Sequence, residues 1–418
     1  MLDFRPPLDS PVLLWFMDTI FPLYCKVKLH DTRIKVVDGA LERFKTLDGH
    51  RAMLCPNHSN VNDPEVMYGF GREAGEHFNY IAAREVFDYD HGSNGWWIQR
   101  MGTYSVVRGA ADRESFKMTR KILSQGPKKL VLFPEGEISR QNDTLMALES
   151  GAAQMGLWAL QDVAKQYGEE KVISGERTIF ILPMAFKYFY PEDITSTLGN
   201  TLTNMENRLG IKSKPHSLVV RMRQVAATLL DALEKEYGHR QGETLNERMM
   251  SLRRFILENL ARVLRVDLDQ SQRELEWVRV LRNKLDDFVF EDEAIASDYQ
   301  KDVHQHQEQK LKLYYHDLNR VVNFISIYDS YVSEHMTQER LAEVIDRLET
   351  EIMGHATSKG PREVLVDAGE AIDLSRYYLE YKKDKKRVVQ IVTDQIFGQI
   401  SGMLQKLEKM RQPRFIPD

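Results

Sequence analysis

At 418 residues and 42% hydrophobic content, the chain is long enough for one large core or two ordinary ones, and its composition excludes a mainly disordered protein. A formal net charge of −5 and a pI near 6.2 leave no overall basic field, which excludes nucleic acid as a partner of the whole surface and confines any anion site to a local cluster. Cys25 and Cys55 are too few for a disulfide framework or a thiolate metal site, so no metal is expected and the cytoplasm is the expected compartment.

The segment Pro11–Val27 is apolar and aromatic, but Asp18 and Pro22 interrupt it and it falls short of the roughly 20 apolar residues of a spanning helix. It also lacks a following small-residue cleavage site, as a signal peptide would require. Two readings stand: a helix packed on the protein's own core, or an amphipathic element in a membrane interface. Trp15, Phe16, Phe21 and Tyr24 suit both.

From Arg33 to Tyr190, short apolar runs alternate with helical periodicity, the pattern of an α/β unit. Strands are expected at Ala52–Cys55, Phe78–Ala83, Thr103–Val107, Lys129–Phe133 and Thr178–Leu182, the last ending at Pro183. Helices are expected at Arg113–Leu123 and Glu149–Gln166. Between about Thr197 and Gly354 the sequence is charged and helical in period, with Leu252, Ile256, Leu260 and Val263 on one stripe and Leu341, Val344, Ile345 and Leu348 on another. Glu291–Lys310 is its most polar stretch, an exposed helix or a connection. Gly360 and Pro361 then punctuate the chain, Glu363–Gly369 reads as a core strand, and Val388–Met410 as a closing amphipathic helix. The expected architecture is a discontinuous α/β domain (1–195 plus 361–418) interrupted by an all-α insertion (196–360).

The chemistry-bearing residues begin with His58 and Asp63. Five positions apart, they would be ~140° out of phase on a regular helix and can meet only across a turn. Asp63 followed by Pro64 marks a helix start, which leaves His58 in the loop before it. Such a pair suits a general base with its orienting carboxylate; alone it is also what a plain helix cap looks like. Phe133-Pro134-Glu135-Gly136 after a strand is either a simple turn or a substrate cradle, with glycine allowing close approach and Asn142-Asp143-Thr144 as the expected start of the next helix. Arg108, after the Thr103–Val107 strand, is either a surface arginine or a phosphate ligand. His304 and His306 lie in a polar run with no third ligand at a standard spacing. There is no G-x-S-x-G, P-loop or dinucleotide motif. The basic run Lys382–Arg387 fits a solvated helix face or a contact with anionic headgroups.

In order and spacing these blocks resemble the glycerolipid acyltransferases, the family of lysophosphatidic acid and glycerol-3-phosphate acyltransferases. Its N-H-x-x-x-x-D block is complete from Asn57 to Asp63; its second block resembles Gly102–Arg108; its F-P-E-G-T-R-S block is matched at Phe133, Pro134, Glu135, Gly136 and Ser139; and its last, an apolar strand ending in proline, at Ile181–Pro183. The resemblance implies transfer of a fatty acyl group from acyl-CoA or acyl carrier protein to the hydroxyl of a lysophospholipid or related acceptor, as a step of phospholipid biosynthesis. His58 would be the base, Asp63 its partner, and Arg108, Phe133, Pro134, Glu135, Gly136, Ser139 and Arg140 the substrate-binding set. No cofactor is implied beyond the acyl donor, and the enzyme would sit peripherally on a membrane.

The sequence departs from the pattern at Glu137 and Ile138, where the family carries Thr-Arg, while an arginine, Arg140, stands two positions later. A carboxylate about 5 Å from a phosphate would cost roughly 3 kcal/mol per unit-charge pair at an effective dielectric near 20. Either Glu137 points away and Arg108 with Arg140 supplies the cation, or the acceptor carries no phosphomonoester. A third reading makes the α/β part inactive and the helical insertion a partner-binding module.

Overall fold

The computed structural model describes residues 3–107, 112–212, 216–289, 298–325, 336–411 and 413–416, without the side chains of 286–309, 312 and 325. Arg108 lies outside the described residues, as do the side chains of His304 and His306. The polar stretch 291–310 is described only in part, as backbone from Asp298.

Among the described residues eight strands form one sheet: β1 (Arg33–Val36), β2 (Arg51–Pro56), β3 (Asn79–Ala83), β4 (Thr103–Val106), β5 (Leu130–Val131), β6 (Ile179–Phe189), β7 (Glu363–Ala368) and β8 (Ile372–Asp373). Their order is β1-β7-β6-β2-β5-β3-β4, with β8 pairing β6 at the side. β6, β2, β5, β3 and β4 run parallel, whereas β7 is antiparallel to β6 and parallel to β1. A strand 174 positions after β6 ends, by the numbering of Phe189 and Glu363, therefore sits at its side in the same sheet. The parallel strands are apolar and buried on both faces, as β2 (Ala52, Met53, Leu54, Cys55) and β6 (Ile181, Leu182, Met184, Ala185) illustrate.

In chain order, helices α1 (Pro11–Val27), α2 (Ala40–Lys45), α3 (Asp63–Ala74), α4 (Ser93–Arg100), α5 (Arg113–Gln125), α6 (Gly151–Tyr167) and α7 (Glu169–Ile173) belong to the sheet's layers. α8 (Thr195–Leu209), α9 (Leu218–Tyr237), α10 (Leu245–Leu264), α11 (Glu274–Val289), α12 (Asp298–Ile325) and α13 (Gln338–Met353) follow, and α14 (Tyr378–Lys383) and α15 (Lys385–Lys409) close the chain. The fold is α/β, with helical content after the stretch from α1 to β6. One hydrophobic cluster gathers residues from Val37 to Phe189 and from Val364 to Leu407; another gathers residues from Ile194 to Leu348.

The sequence reading needs four amendments. β6 does not stop at Pro183 but runs to Phe189, because β7 supplies antiparallel partners from Met184 to Phe189. No helix starts at Asn142-Asp143-Thr144; the chain stays irregular until Gly151, since the Asn142 side chain is bound to the β6 backbone. The cap of α3 is Asn62, with Asp63 its first residue and Pro64 in the first turn. The tail, finally, leaves the sheet: Gln338 N donates to the Arg414 carbonyl, Ile416 N to Met336, and Ile416 packs in the helical cluster.

α1 packs on the protein's own core, the first reading of the N-terminal segment, and leaves apolar side chains exposed elsewhere on the helix. Leu14, Met17 and Phe21 are buried against the domain, while Val12, Trp15, Phe16, Leu23 and Val27 are exposed. Among the described residues no helix is long and apolar enough to cross a membrane.

Candidate active site

β2 and β5 point their carboxyl ends to the same edge of the sheet, the edge where ligands bind in parallel α/β folds. The loop after β2 carries His58 and the loop after β5 carries Phe133–Arg140. Where β2 ends at Pro56, β6 continues, so its backbone needs new partners. The Asn57 side chain provides them, donating to the Phe186 carbonyl at 3.1 Å and accepting from Phe186 N at 2.7 Å. Asn142 repeats the device two residues on, donating to Tyr188 O at 2.8 Å and accepting from its N–H at 2.7 Å. Both loops are thus fastened to one strand by an asparagine.

His58 and Asp63 do meet across the turn, with Nδ1 2.9 Å from Oδ2. Asp63 is fully buried, and its carboxylate also accepts from Asn60 N at 2.8 Å and from the Tyr188 hydroxyl at 2.6 Å. With Nδ1 donating to Asp63, His58 holds the tautomer whose Nε2 carries the lone pair. Phe133 stacks on the imidazole, with centroids 4.1 Å apart and planes 22° from parallel, so the ring can tilt little. Its side chain is 15% exposed, enough for a substrate atom to reach it.

The third block holds the His58 loop in place. Glu135, buried, accepts from His58 N at 2.5 Å and from Met146 N at 3.0 Å. Burial pushes its carboxyl up to about 7, against the pull of those two bonds. Ser139 donates to the His58 carbonyl through its N–H at 2.8 Å and its hydroxyl at 3.0 Å. Pro134 accepts from Glu149 N at 2.7 Å. Gly136 has φ +72, a backbone conformation that favours glycine, and a Cβ there would lie 2.8 Å from the movable end of the Arg279 side chain.

Glu137 is met by a cation from the helical segment: Arg282 of α11 donates to its Oε1 at 3.2 Å. Other seam contacts bind the same loop. Arg279 reaches Glu149 at 2.5 Å, Arg340 of α13 reaches Asp143 at 3.0 Å, Asn142 N donates to Glu343 at 3.1 Å, and Arg347 donates to the Arg140 carbonyl. Arg140 itself is non-glycine at φ +53. Desolvation, with the Arg347 charge second, holds its guanidinium below the ordinary arginine value.

Sequence reasoning singled out His58, Asp63, Phe133, Pro134, Glu135, Gly136, Ser139 and Arg140, and the fold gathers them at one edge. It missed Tyr188, Asn142 and the arginines of α11 and α13. Tyr188 offered a faint signal, a hydroxyl in an otherwise apolar run; Asn142 was legible only as a cap.

Against known proteins, residues 33–187 match a family model described as Acyltransferase. No curated protein matches the chain at a significant level.

Proposed function

We propose, from the match of residues 33–187 to the Acyltransferase family model, that this chain is an acyltransferase and that His58 is the general base of a direct acyl transfer from a thioester to a lysolipid hydroxyl. The observation that carries the reading is the 2.9 Å contact between His58 Nδ1 and a fully buried Asp63. Nε2 removes the acceptor's hydroxyl proton as its oxygen attacks the thioester carbonyl, and Asp63 stabilises the imidazolium that forms. The C–S bond breaks as the tetrahedral intermediate collapses, and the proton passes from His58 to the departing thiolate. Atoms balance without an acyl-enzyme or a cofactor.

The donor is acyl-CoA or acyl carrier protein, the acceptor a lysophospholipid or glycerol-phosphate relative, and Phe133, Pro134, Glu135, Gly136, Ser139, Arg140 and Arg108 shape their site. The electrostatic objection raised by Glu137 weakens in the fold, because Arg282 provides a counter-charge at 3.2 Å. A phosphate-bearing acceptor is therefore the reading favoured over a phosphate-free one. The exposed stripe of α1, with Trp15, Phe16 and Leu23, suits peripheral contact with the cytoplasmic face of a membrane. α1 packs along α3 through Tyr68 to Leu14 and Tyr24 to Glu65, and α3 is the helix that follows the His58 loop.

The test is thiol release from long-chain acyl-CoA and acyl carrier protein against a panel of phosphorylated and unphosphorylated lysolipids. Acceptor-dependent release with a phosphorylated lysolipid is expected. Release with no donor–acceptor pair would overturn the reading and shift weight to the helical segment as a binding module.

A further inference from the structure

Asp63 is a fully buried carboxylate held by three donors: the His58 ring at 2.9 Å and Asn60 N at 2.8 Å on Oδ2, and the Tyr188 hydroxyl at 2.6 Å on Oδ1. The first two arise within the turn itself. Tyr188 comes from the far end of β6, 125 positions along the chain. β6 extends to residue 188 through its pairing with β7, Tyr188 opposite Val364. Asn142 binds both backbone groups of Tyr188, at 2.8 and 2.7 Å, and the Arg362 guanidinium covers its ring 5.3 Å from the centroid. Its buried neighbours on the same strand, Phe186 and Phe189, show that packing here does not call for a hydroxyl.

An O–H···O⁻ contact of 2.6 Å lies in the charge-assisted range and draws charge off the carboxylate. The imidazole next to it feels the difference. A buried carboxylate against a histidine favours the protonated ring, and a ring already protonated at neutral pH has no lone pair for the acceptor's proton. By taking up part of the Asp63 charge, the Tyr188 hydroxyl weakens that pull while keeping Oδ2 aimed at Nδ1. Arg362 works in the same direction, because a cation over the ring draws electron density from the hydroxyl. Among the described residues, the other charged groups facing the pair are Glu135 of the loop after β5, which accepts from His58 N, and Glu65 in the first turn of α3, whose Oε1 accepts from the Tyr24 hydroxyl.

We propose that Tyr188 is a positioning residue of the His58–Asp63 pair: its hydroxyl fixes the Asp63 carboxylate and lowers the proton affinity of His58, which leaves the ring free to act as base. Its part in turnover rests on the acyl-transfer reading; its coupling to the His58 titration does not.

The titration of the His58 imidazole, followed by NMR of the full-length protein labelled at histidine and assigned through His58→Gln, reads that coupling without turnover. In Tyr188→Phe, which keeps the ring, Asp63 recovers its full charge and the midpoint should rise by about half to one unit. Tyr188→3-fluorotyrosine, a more acidic phenol, should lower it. Tyr377→Phe, a control whose lost hydroxyl meets Gln395 of α15, should leave it unmoved. Glu65 and Glu135 are present in all four proteins, so the differences report on the hydroxyl. A midpoint left unchanged or lowered by Tyr188→Phe would overturn the proposal and make Tyr188 a packing residue, its loss visible only in the melting temperature. Where transfer is measured, kcat of Tyr188→Phe should fall about tenfold with KM near wild type, and the acidic limb of kcat/KM should move up with the NMR midpoint. A fall in kcat with the limb fixed would contradict the proposal too. A shifted midpoint in a protein that releases no thiol with any donor–acceptor pair would confirm the coupling and overturn the acyl-transfer reading instead. Should Tyr188→Phe fail to fold, the fluorinated variant, which retains the hydroxyl, carries the comparison.

Discussion

The pair of carboxylates that hold the His58 loop and those of the helical segment are both buried, but they are compensated differently. In the helical segment Glu206 pairs with Arg221, Glu234 with Arg248, Glu351 with Arg320, and Glu339 with Arg411. At the sheet edge, Asp63 and Glu135 receive, among the described residues, N–H and O–H donors and the His58 ring. Permanent pairs fix a structure. A buried carboxylate without a permanent cation is instead poised to stabilise a positive charge that appears only during reaction, which is what base catalysis by His58 requires.

The sharpest way to break this comparison is to neutralise one carboxylate on each side. Asp63→Asn should lower kcat by about 10²–10⁴ while circular dichroism and the unfolding midpoint stay near wild type. If the variant loses stability and keeps kcat, Asp63 belongs with the structural carboxylates. Glu234→Gln should do the opposite, leaving buried Arg248 with Asp231 as its counter-charge and losing about 1–3 kcal/mol in urea unfolding with kcat unchanged. A kcat drop there would mean the helical segment reaches the chemistry by a route other than the seam.

Glu135 sharpens the comparison through pH. Its carboxyl sits at about 7 in the fold against 4.5 for the group in water. The native state therefore holds more protons than the unfolded chain over this window, so the group's contribution to stability is complete below 4.5 and lost as pH rises through 7. The difference is about 3 kcal/mol. The stability of wild type relative to Glu135→Gln should fall across that interval; a flat difference would mean that Glu135 is ionised as readily in the fold as outside it.

The smallest effect is expected at the seam. A double-mutant cycle on Glu137→Gln and Arg282→Gln should give a coupling of about 1–2 kcal/mol in unfolding, because the pair is close and mostly buried. No coupling would make Arg282 a bystander and return the charge at Glu137 to the acceptor site.

What could be read without the fold follows from how local each signal is. The buried strands β2 and β7 and the stripe of α15 carry their own periodicity, and the sequence reading placed them within a few residues. The His58–Asp63 contact was legible too, since proline at position 64 marks the turn that brings them together. β1 and β8 have four and two residues, too short for a pattern. The end of β6 was misplaced because proline ordinarily stops a strand, and its continuation depends on β7, far along the chain. Asn142 sends the same local signal whether it caps a helix or binds a strand. The partners of Glu137 and Arg140 lie 145 and 207 positions away, with nothing local to announce them.

The central claim is that His58 is the base of acyl transfer, and the most direct measurement is acceptor-dependent thiol release by wild type and a folded His58→Ala variant under saturating donor. A fall of about 10²–10⁴ in kcat with unchanged secondary structure and melting temperature is the predicted result. Undiminished release by His58→Ala would contradict it and place the proton acceptor elsewhere.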